Sequence, residues 1–129
     1  MMKSNFNTNK DLLSRFPDEQ ACINHLEILR WNGEAVSPFK PKSKVYICKN
    51  NKYKCKESGK YFNVKTATLF DNSKVGLQKW FLAIWIVTSG QKRISSLQLS
   101  KDIGTSQKTA WLMLQKIKRC FKIDDENDS

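Results

Sequence analysis

No apolar run in this chain approaches the ~20 residues that a membrane-spanning helix needs. The stretch Trp80 to Val87 falls far short of that length, which excludes a helical membrane protein. Met1 to Lys10 is polar and asparagine-rich and has no apolar leader segment, so the expectation is a cytoplasmic chain. There Cys22, Cys48, Cys55 and Cys120 are expected as thiols. Across a hairpin, Cys48 and Cys55 would lie diagonally rather than opposite, which also disfavours a disulfide. The single histidine, His25, has no nucleophile beside it in a recognisable motif, and no glycine-rich phosphate loop occurs. No catalytic constellation is therefore legible. Cys22 and His25 fall one helical turn apart, but two ligands do not make a metal site, and a buried thiol beside a surface imidazole is the simpler reading.

Acidic residues are also scarce: 12 against 23 Lys and Arg in 129 residues, for a formal net charge of +11. The imbalance is regional. Residues 1–36 hold 4 basic and 5 acidic groups, 37–70 hold 9 and 1, 71–123 hold 10 and 2, and the last six residues hold 0 and 4. A polyanion is the simplest partner for the two basic segments, because each phosphate contact releases condensed counterions. No amphipathic helix with a clean basic rim points to an anionic membrane instead. Asp124, Asp125, Glu126 and Asp128 are adjacent on the tail and read as solvated and disordered, not as a two-metal site.

The stretch Ile94 to Phe121 reads as two short helices broken by a Gly-Thr-Ser turn, the pattern of a helix-turn-helix. Leu99 and Ile103 would bury the first helix, which Ser95 can cap. Gly104 supplies the positive φ of the turn, and Ala110, Met113, Leu114 and Ile117 would bury the second helix. Gln107, Lys108, Trp111, Gln115, Lys118 and Lys122 then recur on the opposite face. Ser106, Gln107, Lys108 and Trp111 would enter a major groove, with Gln107 able to pair bidentately with adenine. Lys92, Arg93, Lys116, Lys118 and Arg119 suit phosphate contacts, which set register. Trp111 has two readings, stacking on the nucleic acid or coverage by a neighbouring helix, and the pattern leans to partial burial.

Upstream, the pattern predicts a helix from about Asp18 to Trp31, with Cys22, Ile23, Leu26 and Leu29 as its apolar stripe and Gly33 as its left-handed cap. Lys44 to Cys48 and Lys52 to Cys55 alternate around Asn50-Asn51, and Ser58-Gly59 leads into Lys60 to Lys65: a three-stranded ribbon. Its apolar content is thin for a fold that small without a staple such as zinc. Two short frames stand where zinc knuckles would, Ser37-Pro38-Phe39-Lys40 and Cys55-Lys56-Glu57-Ser58-Gly59. Only Cys55 supplies a thiolate, so no structural zinc is expected, with Cys48 or His25 the only recruits. Leu77 to Thr88 is apolar on more than one face and reads as a buried core helix ended by Gly90, onto which Tyr61, Phe62 and Phe70 would pack.

Taken in order, RW-NG, the frame at Ser37, YKCKESGKYF, TATLFDNSK, LQKWFLAIW, ISSLQLSKDIG and SQKTAWLMLQKI resemble the N-terminal region of insertion-sequence transposases of the DDE type, which carry a zinc ribbon ahead of a helix-turn-helix. The resemblance covers about Phe16 to Arg119. It implies recognition of terminal inverted repeats in double-stranded DNA, with cutting left to a nuclease domain that is not read in these residues. A full-length transposase or nuclease-bearing partner is then implied. The expectation is an α+β chain: an N-terminal helical segment (1–33), a degenerate ribbon (34–70), a core helix with the helix-turn-helix (71–121) and an acidic tail (122–129). It carries no catalytic residue, metal or cofactor. A regulator that occupies element ends or a promoter, and an adaptor whose basic ribbon meets an acidic protein, are the other readings. RNA has weaker support, because no pair of exposed aromatics is legible on the ribbon.

Overall fold

A computed structural model of the chain describes residues 9–89 and 93–123. Among them the fold is α+β: α1 (Asn9–Arg15), α2 (Glu19–Trp31), β1 (Val45–Ile47), β2 (Tyr53–Cys55), β3 (Tyr61–Phe62), α3 (Leu77–Ser89), α4 (Ser96–Ile103) and α5 (Gln107–Phe121). Contacts gather these elements into two units. One comprises residues up to Asp18 together with those from Val75 onward, and the other is Glu19–Lys74. No described helix is long and apolar enough to cross a membrane.

In the helical unit, α3 is the centre, with Leu77, Trp80, Phe81, Leu82, Ala83 and Ile84 all buried. α1, α4 and α5 pack on it. The sequence pattern did not anticipate α1, which buries Leu12 and delivers Phe16 edge-on to Phe81 at 5.0 Å. Gln78 Nε2 donates to the Phe16 carbonyl at 2.8 Å, so the segment after α1 is fixed by both a ring and a hydrogen bond. The boundary that the pattern assigned to Gly90 lies outside the described residues.

In the second unit the strands form one antiparallel sheet in the order β1-β2-β3. Val45 faces Cys55, Tyr46 faces Lys54, and Ile47 faces Tyr53; Tyr53 and Lys54 in turn face Phe62 and Tyr61. Asn50 and Asn51 both take positive φ, 58° and 61°, as the hairpin turn between β1 and β2 requires. The third strand is shorter than the expected Lys60 to Lys65. Asn63 breaks it by accepting at Oδ1 from the Lys65 N–H at 2.8 Å, an Asx turn that competes with the ladder.

Within this unit α2 supports the sheet. Trp31 meets Tyr53 at 5.3 Å and Phe62 at 6.1 Å, both edge-on, and Tyr53 stacks on Phe62 at 5.6 Å. Phe62 is thus buried by rings of its own unit, whereas Tyr61 lies exposed. Polar ties run along the same helix. Gln20 and Asn51 exchange amide hydrogen bonds at 3.2 and 3.0 Å, the Tyr53 hydroxyl donates to Glu27 at 2.8 Å, and Arg30 donates to the Val64 carbonyl at 2.8 Å. Burial, the Glu27 hydrogen bond and the Glu27 charge together push the Tyr53 phenol up to about 12. Two helix details also differ from expectation. Leu29 is 48 % exposed, off the buried stripe of Cys22 and Leu26. The left-handed residue after α2 is Asn32, at φ 46°, while Gly33 sits at φ 148°.

Replacing Phe62 with Ala removes the ring at the middle of this cluster. The expected loss is ~3–5 kcal/mol, read by hydrogen exchange as deprotected amides in β1–β3 while α3–α5 keep their protection.

Candidate nucleic-acid interface

The geometry of the α4–turn–α5 segment begins with its caps. Ser95 Oγ accepts from the Gln98 N–H at 3.1 Å and starts α4, and Ser106 Oγ accepts from the Thr109 N–H at 3.1 Å and starts α5. Between them Gly104 adopts φ 74° and ψ 47°, and both its N–H and that of Thr105 donate to the Ser100 carbonyl. Lys79 Nζ reaches from α3 to the Gly104 carbonyl at 2.9 Å and anchors the turn to the core helix.

α5 then buries Ala110, Met113, Leu114 and Ile117, all at 3 % exposure or less. Its other side is open: Gln107, Lys108, Trp111, Leu112, Lys116 and Arg119 are exposed, and Gln115 and Lys118 are half-buried. The helix carries no acidic residue. Trp111 is 51 % exposed, so neither reading of it is complete: its ring is partly covered and partly available. Leu112, 48 % exposed on the same side, escaped the sequence reading because an apolar residue there looks like core. It is chemically suited to a thymine methyl.

The predicted site residues fall into four groups. Arg93, Trp111, Gln115 and Lys118 come together around one cleft of about 430 Å³, with Ser95 and Ser96 from the start of α4 completing its wall. Gln107 does not line that cleft but its Nε2 donates to Ser96 Oγ, in the cleft wall, at 3.4 Å, and Lys108 and Arg119 are exposed. Ser106 is committed to capping, since its hydroxyl also donates to Thr109 Oγ1 at 3.0 Å. Lys92 and the tail acids Asp124, Asp125, Glu126 and Asp128 lie outside the described residues. Lys122 ends α5 with φ 55°, its N–H bonded to the Lys118 carbonyl, so it terminates the helical face.

The zinc frames retain their turns with different chemistry. Ser37 is buried, and its hydroxyl accepts from the Phe39 and Lys40 N–H groups at 3.0 and 3.1 Å. Cys55 is fully buried, and the Gly59 N–H closes the second turn onto its carbonyl at 2.8 Å. Burial alone would raise the Cys55 pKa. Side-chain hydrogen bonds from Ser37, Ser43 and Ser58, with one from the Ser58 backbone, outweigh it and bring the thiol from its ordinary 9.0 down to about 6. These residues do not fit zinc: one cysteine among serines and a lysine cannot supply the four ligands of a tetrahedral site. Among the described residues no three His, Cys, Asp or Glu side chains gather in a way that would hold a metal ion. None of the four cysteines is in a disulfide, and Cys22 is buried one helical turn from a half-buried His25.

No protein-family model matches the chain, and no solved structure matches it. It is 31 % identical over 113 residues to an uncharacterized protein in transposable element ISH50 of Halobacterium salinarum. That alignment takes in 84 % of this chain and 38 % of the halobacterial protein. The chain is thus a relative of a protein resident in an insertion sequence, and spans well under half of that relative's length.

The lowered Cys55 pKa makes the ribbon sensitive to acid. Because the Cys55 pKa is lower folded than unfolded, its stabilisation is complete above about pH 9 and is lost as pH falls through about 6. Denaturant unfolding of the Glu19–Lys74 unit should weaken across that window in the unaltered protein. In Cys55→Ser the acid-dependent slope should be absent, leaving a ribbon whose stability no longer follows this titration.

Proposed function

We infer that this chain is a DNA-binding module akin to the N-terminal end-recognition region of insertion-sequence transposases. The observation that carries the reading is α5 itself: an amphipathic helix without acidic residues, introduced by a left-handed glycine turn, with its amide and cationic side chains on the exposed side. The halobacterial relative supports the context of a mobile element. In this reading the start of α5 enters the major groove of double-stranded DNA at the element's terminal inverted repeats. Gln107 reads an adenine edge, while Lys108 and Trp111 lie against the neighbouring groove wall. Arg93, Gln115, Lys116, Lys118 and Arg119 contact the backbone, and Lys92 is assigned there on sequence alone. Strand cutting is left to a nuclease-bearing partner or domain, and no catalytic role is given to the residues described.

The roles are separable by salt. Gln107→Ala should relax preference at one base position at a cost of ~1–3 kcal/mol for the cognate duplex and little for others. Lys118→Gln should weaken all duplexes about equally and reduce the salt slope by about one. Fluorescence anisotropy over a salt series measures both, and equal behaviour of the two variants would overturn the assignment.

A further inference from the structure

The two faces of the small sheet differ sharply. Tyr53 and Phe62 turn to α2, whereas the alternate positions Tyr46, Lys54 and Tyr61 form one row across all three strands. Tyr46 is 41 % and Tyr61 58 % exposed. Lys44 Nζ lies 5.9 Å from the Tyr46 ring centroid, and Lys54 Nζ lies 5.4 Å from that of Tyr61. Two accessible phenol rings, two strand spacings or about 10 Å apart, are thus each flanked by an ammonium group. Tyr61 also lines a groove of about 430 Å³, together with Lys52, Lys65, Asn63 and Asn72. Asp71 is the acidic residue in its wall. Residues 37–70 carry nine lysines and one glutamate, so the surface is cationic as well as aromatic.

We propose that this face, Tyr46-Lys54-Tyr61 with the adjoining groove, binds unpaired single-stranded DNA. Its bases stack on the two tyrosines and its phosphates run along Lys44, Lys52, Lys54 and Lys65. Duplex DNA keeps its base faces inside the stack and offers only edges in the grooves, so exposed rings on a flat sheet have no partner there. Bases freed from pairing do present faces, and aromatic platforms between cations are the general solution for holding them. An acidic protein would use the lysines but leave the rings idle. The choice of DNA over RNA rests on the reading of the chain as a mobile-element DNA binder; the platform itself rests on the sheet.

The test uses the full chain and a labelled oligothymidylate of about 12 nucleotides, followed by anisotropy. Tyr46→Ala and Tyr61→Ala should each weaken binding by about 5- to 150-fold, while Tyr46→Phe and Tyr61→Phe, which keep the ring and the fold, should bind nearly as the unaltered chain does. Gln107→Ala should leave oligothymidylate binding unchanged, so failure of the duplex reading and failure of the platform are told apart. The proposal is overturned by no binding, by alanine variants that bind as tightly as the unaltered chain, by phenylalanine variants that lose binding as the alanine ones do, or by tyrosine-dependent preference for oligouridylate of the same length.

Discussion

Burial of Ala110, Met113, Leu114 and Ile117 sets the rotation of α5 about its own axis. A helix repeats every 3.6 residues, so once these four side chains are committed to the core, the direction of every other residue on the helix follows. Gln107, Lys108, Trp111 and Arg119 are outward because those four are inward. The turn before α5 fixes the remaining degrees of freedom. Gly104 reverses the chain in a conformation most residues resist, and Lys79 ties its carbonyl to α3. The proposed reading face is therefore a consequence of packing on the opposite side of the same helix.

The Glu19–Lys74 unit meets a different constraint. A sheet with strands of two and three residues cannot bury enough surface to stand alone. Here the ring cluster of Trp31, Tyr53 and Phe62 supplies apolar burial, and the amide, phenol and guanidinium ties from α2 fix the hairpin. At the knuckle frames, serine hydroxyls and one buried thiol occupy the space between two tight turns. The bonds there are individually weaker than metal coordination. With one face given to α2, the other is left to present Tyr46, Lys54 and Tyr61.

What was legible in the sequence was mostly local. The two helices α4 and α5 and the turn between them follow from apolar spacing, serine caps and one glycine, all within a few residues of the structure they specify, and the hairpin from an Asn-Asn turn between alternating segments. The support of the ribbon was not legible, because Trp31 and Phe62 are 31 positions apart and aromatic residues do not announce their partners. α1 was missed because seven residues in a polar, asparagine-rich surrounding bury one leucine and carry too little periodicity to register. The serine cluster escaped because metal frames are scanned for sulfur and imidazole, and hydroxyls look like a loss. The row Tyr46-Lys54-Tyr61 depends on strand register, which alternation alone leaves open by one residue.

The role proposed for the exposed side of α5 is to read sequence in duplex DNA. Selection of bound duplexes from a random pool by the purified chain, carried out at low and at physiological salt, tests it most directly. The expected result is a consensus that persists at physiological salt and disappears when Gln107 and Lys108 are replaced together. Binding without a consensus, lost as salt rises, would contradict it and leave only the attraction between a basic surface and phosphate.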